Sequence, residues 1–251
     1  RGPRLATLRP VAAAYPPALQ AWSREGEWLE VAGHRIWCSD GGARNDHPAL
    51  ICLHGFPSFA HDFHRVLPSL RARGRVVVHD HLGFGLSDKP EGHDYSLIEQ
   101  ADIALELWKS LGIERGLLLA HDYGTSVATE ILAQREEGRL PVTLEGVILS
   151  NGSMHIELAH LTWPQLVLQH PTLGPLLGRL GPRALFERRL RKTFARDPNP
   201  EDIRMMWHGL VAHGGRKVLG RLGRYLHERR AHWDRWIGAL ARLDLPIQIL
   251  W

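Results

Sequence analysis

Cysteine is almost missing from this chain: Cys38 and Cys52 are the two present in 251 residues, which excludes a disulfide framework. No uninterrupted apolar run reaches the ~18 residues of a membrane-spanning helix. The opening Arg1-Gly2-Pro3-Arg4 is followed by no apolar signal core. A reducing, cytoplasmic setting is therefore expected. There is no Walker loop, and Gly83-Phe84-Gly85 meets Asp88 where a dinucleotide fingerprint needs its third glycine, so no nucleotide cofactor is expected. What remains is the composition of a soluble globular protein, 44% hydrophobic and 23% charged, which excludes disorder.

The net charge of +4 is unevenly spread. Between Arg183 and Arg235 fourteen Lys or Arg face six acids, a local +8 that leaves −4 for the rest of the chain. Clustered cations suit nucleic acid or an anionic membrane surface. Here, however, they alternate with Leu, Phe, Trp and Met at helical spacing, as on the wet faces of amphipathic helices. No nucleic-acid partner is expected, a membrane surface is the less favoured alternative, and oligomeric state is left open.

The first two thirds alternate strands with helices. Trp28–Val31 and Arg35–Cys38 read as an opening hairpin. Ala49–Leu53, Arg75–Val78, Leu117–Ala120, Gly146–Ser150 and Pro246–Leu250 read as strands buried on both faces. Helical patterns are clearest over Ser96–Leu111 and Ser126–Glu137. This alternation predicts an α/β fold, a mostly parallel sheet flanked by helices. Residues 153–240 hold no strand-like run and many prolines, so they read as a helical insertion between the sixth and seventh strands. The expected division is 1–152, 153–240 and 241–251.

In such sheets ligands bind beyond the carboxyl ends of the strands. After one strand comes Ala120-His121-Asp122-Tyr123-Gly124, a polar residue with small residues two before and two after. That is the pattern of a nucleophile elbow, with Asp122 where an esterase would carry Ser. A carboxylate nucleophile forms an alkyl ester with carbon, which suits epoxide opening or carbon–halogen cleavage. The alternative is that Asp122 caps the following helix. After another strand comes His54-Gly55-Phe56-Pro57. Amides of Phe56 and Tyr123 would converge there on one point, an oxyanion or halide cradle. His79-Asp80-His81 with His54, His61 and His64 suggests a metal, but no third ligand sits at suitable spacing, and no metal is expected. His121 is expected to pack away from Asp122.

His54-Gly55-Phe56-Pro57, the loop Leu82–Pro90 and His121-Asp122-Tyr123-Gly124 together resemble the α/β-hydrolase superfamily, in its epoxide hydrolase and haloalkane dehalogenase branch. Tyr95-Ser96, Glu99-Gln100-Ala101, Leu149-Ser150-Asn151-Gly152 and Arg235-Trp236 with Gly238-Ala239-Leu240 look most like the mesoderm-specific transcript-like hydrolases. The resemblance implies that 153–240 is a helical cap over the site, that Asp122 is the nucleophile, and that Phe56–Pro57 is cis. It makes Tyr225 the candidate general acid, with a packed amphipathic ring as the alternative. Trp163 is a candidate pocket wall. Tyr123 stands where haloalkane dehalogenases usually carry a halide-holding Trp, and Tyr225 is the one cap tyrosine where epoxide hydrolases usually have two.

Asn151 occupies a strand-end position where one dehalogenase subclass keeps its acid, and an amide cannot serve as that acid. By the resemblance the acid and His base are expected beyond Trp251, with a final strand and helix. The 251 residues alone would then be alkylated without turning over. The expected partner is a small apolar or lipid-like substrate; the alternatives are a haloalkane dehalogenase and a non-catalytic relative that binds a lipid or protein through its basic cap.

Overall fold

The structure is a computed structural model that describes residues 15–152, 163–170 and 172–251. Seven strands, β1 (Glu27–Val31), β2 (His34–Gly41), β3 (Ala49–Leu53), β4 (Val76–His79), β5 (Arg115–His121), β6 (Thr143–Ser150) and β7 (Ile247–Leu250), form one sheet in the order β1-β2-β4-β3-β5-β6-β7. β1 and β2 are antiparallel, as are β2 and β4; every other pairing is parallel. Ala32 and Gly33 turn the first hairpin with φ of 50° and 78°, the left-handed pair that matches strand twist. β2 runs three residues past the predicted Cys38 because its second half pairs with β4, Cys38 opposite His79 and Gly41 opposite Val76. That pairing is long-range, so the local pattern does not carry it.

The core lies on both faces of the sheet because strand side chains alternate. Ile51, Leu53 and Val77 join one buried cluster, with Trp108, Ile131 and Trp236; Cys52, Val76 and Val78 join the other, with Trp37, Phe59 and Met205. Cys38 and Cys52 fall in different clusters and are both free, and burial pushes the Cys52 thiol up to about 12.

The helices preceding the insertion are α1 (Pro17–Ser23), α2 (Leu67–Arg71), α3 (Leu97–Ser110) and α4 (Tyr123–Glu136), with a 3-10 turn at Ala60–Phe63. α3 begins where Ser96 Oγ accepts the Glu99 amide, 3.1 Å, and ends ahead of Gly112 at φ 63°, as its sequence pattern predicts. α4 starts three residues earlier than predicted. Every residue from Tyr123 to Gln134 is buried, so there is no polar face to mark its first turn.

Between β6 and β7 the described residues contain helices and no strand: α5 (Trp163–Gln169), α6 (Leu173–Leu180), α7 (Arg183–Arg191), α8 (Pro200–Val211), a 3-10 turn at Ala212–Lys217, α9 (Leu219–Leu222), α10 (Tyr225–Ala231) and α11 (Trp233–Ala241). α7 buries no residue, and its Arg183 and Arg191 pair with Glu187 (2.6 Å) and Asp197 (2.8 Å), as on a solvated face. The insertion grips α4. Glu130, fully buried, accepts from Arg235 Nε and Nη2 (both 2.9 Å) and from Trp236 Nε1 (2.7 Å). Gln134 Nε2 donates to the same carboxylate at 3.2 Å. Glu228 Oε2 accepts the Leu97 amide at 2.8 Å, so α10 also holds the start of α3. Among the described residues no helix is long and apolar enough to cross a membrane.

Candidate active site

β5 delivers Asp122 into the turn before α4 at φ 49° and ψ −109°, a strained backbone that persists only when the surroundings hold it. The surroundings are tight. A Cβ on Gly124 would meet Leu53 O at 2.5 Å, so the helix can approach β3 this closely only with glycine there. Ala120, two residues before Asp122, is fully buried. Thr125 Oγ1 donates to Asp122 O (2.6 Å) and fills the space beside Gly152. Asp122 occupies the N-cap position but its side chain makes no capping bond. Instead Oδ1 accepts the Phe56 amide at 2.7 Å. The carboxylate is thus turned out of the helix and into the crevice between the loops after β3 and β5.

The loop after β3 is shaped to reach it. Phe56–Pro57 is cis, as the resemblance implies, and a Cβ on Gly55 would lie 2.8 Å from Asp122 Cβ and 3.0 Å from His121 Nδ1. His121 therefore does not pack on a side of its own; its ring and Asp122 crowd the same glycine. Tyr123, the first residue of α4, has an amide with no partner inside its helix.

His54 holds this loop in place. Its Nε2 accepts the His81 amide (3.0 Å), so Nδ1 carries the proton and donates to Gly55 O (2.9 Å). Asp80 staples two further turns, Oδ1 to the Ala60 amide (2.8 Å) and Oδ2 to that of Leu86 (2.7 Å), while Lys89 Nζ reaches Gly209 O in the insertion (3.3 Å). Burial pushes the Asp80 carboxyl up and the Lys89 ammonium down, each opposed by the other's charge.

Tyr225, on α10, is 5% exposed and faces the site. Its ring centroid lies 5.6 Å from that of Phe56 and 5.1 Å from that of Tyr123, and the Arg229 guanidinium sits 4.7 Å over it. Burial raises its hydroxyl pKa well above the ordinary value, the Asp122 charge adds to this, and Arg229 opposes it. The phenol therefore keeps its proton at neutral pH. Asn151 is exposed at the end of β6, φ 50°, its Oδ1 accepting from Ser150 Oγ at 2.9 Å. Trp163 opens α5 and is 57% exposed, outside the ring cluster around Tyr225 among the described residues.

Two residues not singled out from sequence belong to the site. Asp62 is bonded to Ser58 Oγ, which also lies 3.1 Å from Gly55 O, so this carboxyl supports the turn that presents the Phe56 amide. Burial first, and the charges of Asp122 and Asp80 after it, push Asp62 up to about 7. Arg229, 2% exposed, donates from Nε to Ser126 Oγ in α4 at 2.7 Å, which fixes it beneath Tyr225. Ser58 and Asp62, four apart after the Gly-Phe-Pro turn, offer a faint sequence signal; Arg229 and Ser126 offer none.

Burial also sets the acid response. It holds His54 at about 3, His79 at about 4 and His81 well below 6.5, so all three stay neutral in the folded protein. Below pH 6.5 the unfolded chain takes up protons there that the folded chain refuses, and stability falls with pH. Asp62 and Asp80 act oppositely, since the folded state keeps protons that the unfolded chain releases above about 4. His61 is held at about 3 as well, by burial and then by His64 and Arg65, and four imidazoles against two carboxyls leave about one net proton or more below pH 6. The unfolding free energy is expected to rise from pH 4.5 to 6 by about 1.4 kcal/mol per pH unit or more. Urea midpoints at three pH values check this, and a flat or falling series would contradict it.

A strand–turn–helix elbow carrying an acidic side chain, an opposed amide from the loop after β3, and helices inserted before the last strand define a hydrolase-type α/β fold. The chain belongs to the α/β-hydrolase fold family, whose model matches residues 48–250. It is 38% identical to LipZ of Mycobacterium tuberculosis, a protein whose name classes it with the hydrolases, over 94% of this chain and 81% of that one. It is 36% identical to the human mesoderm-specific transcript homolog protein, over 94% of this chain and 72% of the relative. The haloalkane dehalogenase DbeA from Bradyrhizobium elkani shares the fold with a TM-score of 0.75 at 22% identity, over 88% of this chain and 78% of that one.

Proposed function

We propose that the protein is a hydrolase with Asp122 as its nucleophile, opening epoxides of small or lipid-like apolar compounds, and that residues 153–240 cap the site. The observation that carries this reading is the Asp122 side chain. It stands at an N-cap yet leaves the helix amides alone and takes the Phe56 amide instead. The oxygen not bound to Phe56 attacks an epoxide carbon, the carbon–oxygen bond breaks, and Tyr225 passes its proton to the departing oxygen. An alkyl ester on Asp122 results. Water, activated by a general base, then attacks the ester carbonyl, whose developing negative charge faces the Phe56 and Tyr123 amides. The acyl carbon–oxygen bond breaks, and the water's two protons go to the departing alkoxide and to the Tyr225 phenolate, leaving a diol and the Asp122 carboxylate. The rings of Phe56, Phe84, Tyr123 and Tyr225 favour an apolar substrate.

Intact-mass measurement after exposure to epoxides and to haloalkanes, followed by peptide mapping, tests the reading. An adduct on Asp122 is expected; none with either class would leave the protein as a non-catalytic binder of a lipid or protein. Tyr225→Phe separates the two chemistries, because a halide leaves without a proton and an epoxide oxygen needs one. The variant is expected to slow adduct formation from epoxides by about 100-fold and from haloalkanes by little. Equal rates for the variant and the parent on epoxides would remove Tyr225 as the acid.

A further inference from the structure

Away from the nucleophile, three side chains from three separate elements converge. His34 opens β2, His93 lies in the loop between β4 and α3, and Glu99 is in the first turn of α3. One ligand atom from each lies within 4.8 Å of the others. The two imidazoles meet edge to face, centroids 5.3 Å apart, and His93 Nε2 is 2.7 Å from Glu99 Oε2. All three are half-buried, so an ion and its water can enter.

Two of the three positions are set by backbone structure. His34 pairs with Val31 in the hairpin, and Glu99 is set by the Ser96 cap. The nearby cations are already matched: Arg35 holds Asp88 at 2.7 Å, and Arg221 faces Asp94 at 3.7 Å. Ligands around tetrahedral zinc stand about 3.3 Å apart at bond lengths near 2.0 Å. His93 and Glu99 already stand within that spacing at 2.7 Å, and a His34 nitrogen lies within 4.8 Å of both. Two imidazoles and one carboxylate select a borderline transition metal over calcium or magnesium, and three ligands leave a fourth position for water.

The place matters because of what the loop carries. Glu91 in it bonds Lys217 of the insertion at 2.5 Å, and Gly92 O accepts from Arg221 Nη1 at 3.1 Å. We propose that His34, His93 and Glu99 bind a divalent transition-metal ion of zinc type, which braces the loop against the hairpin and α3 and so supports the helical insertion.

Metal-stripped protein titrated with zinc by calorimetry, and with cobalt by visible absorption, tests this. One saturable site with the spectrum of a low-coordinate cobalt complex is expected, and zinc in excess should raise Tm by about 5 °C. His93→Ala and His34→Gln, both at half-exposed positions, should each weaken binding by about 100-fold or more and abolish the Tm shift. His64→Ala, outside the cluster, should leave both intact. No zinc binding by the parent protein, or binding that survives both His93→Ala and His34→Gln, would overturn the assignment.

Discussion

Asp122→Asn should lower the rate at which an epoxide alkylates the protein by about 10⁴-fold or more while shifting Tm by no more than a degree or two. The two halves of that result come from different atoms. Asn keeps an oxygen where Oδ1 accepts the Phe56 amide, and it tolerates the positive φ of the elbow nearly as well as Asp. The loop after β3 therefore keeps its anchor. What disappears, on the proposed mechanism, is the anionic oxygen that attacks carbon, since a neutral amide is a very poor nucleophile. Timed intact-mass measurements check the first half and thermal melts the second. A variant alkylated as fast as the parent would show that Asp122 does no covalent work.

The largest stability effect is expected at Glu130. Replacing it with Ala should lower the unfolding free energy by about 3 kcal/mol or more. The side chain is fully buried and takes three hydrogen bonds from the insertion, two from Arg235 and one from Trp236, plus one from Gln134. Arg235 is 31% exposed and keeps Glu137 and water as partners. The indole of Trp236 is fully buried and would lose its acceptor among the described residues, as well as the packing around a new void. Glu137→Ala, which removes an exposed partner of the same arginine, should change stability little. Denaturant melts of both variants decide it, and equal losses would mean that the buried network is not what holds α11 to α4.

The parts readable from sequence were those written in short stretches. Ala120-x-Asp122-x-Gly124 announces the elbow because the crowding that demands small residues acts at fixed offsets along the chain. Gly55-Phe56-Pro57 announces the opposing loop for a similar reason, and the continuous apolar runs announce the parallel strands. The start of α4 was misplaced because a helix buried all round carries no amphipathic signal. Arg229 with Ser126 and Glu130 with Trp236 meet across more than 100 residues, and His34 meets His93 and Glu99 through a hairpin and a loop. Such partners are set by topology, and each looks like an ordinary surface residue until the sheet order is known. The +8 of the insertion was legible as charge, but only the structure shows how much of it is spent on ion pairs with α4, on the loop after β4 and on neighbouring helix turns.

One helix, α4, joins the two regions on which these expectations rest. The strained Asp122 occupies its N-cap position, and two turns further on Glu130 is clasped by α11. Eight residues of helix are about 12 Å of stiff rod, seated on β3 through Gly124 and unable to bend without breaking buried hydrogen bonds. A rod pinned near one end transmits tilt as a lever does. Movement of α11 is delivered to the carboxylate as a change of aim. Substitutions at Arg235, far from any bound molecule, should for that reason register in the rate of carbon attack before they register in affinity.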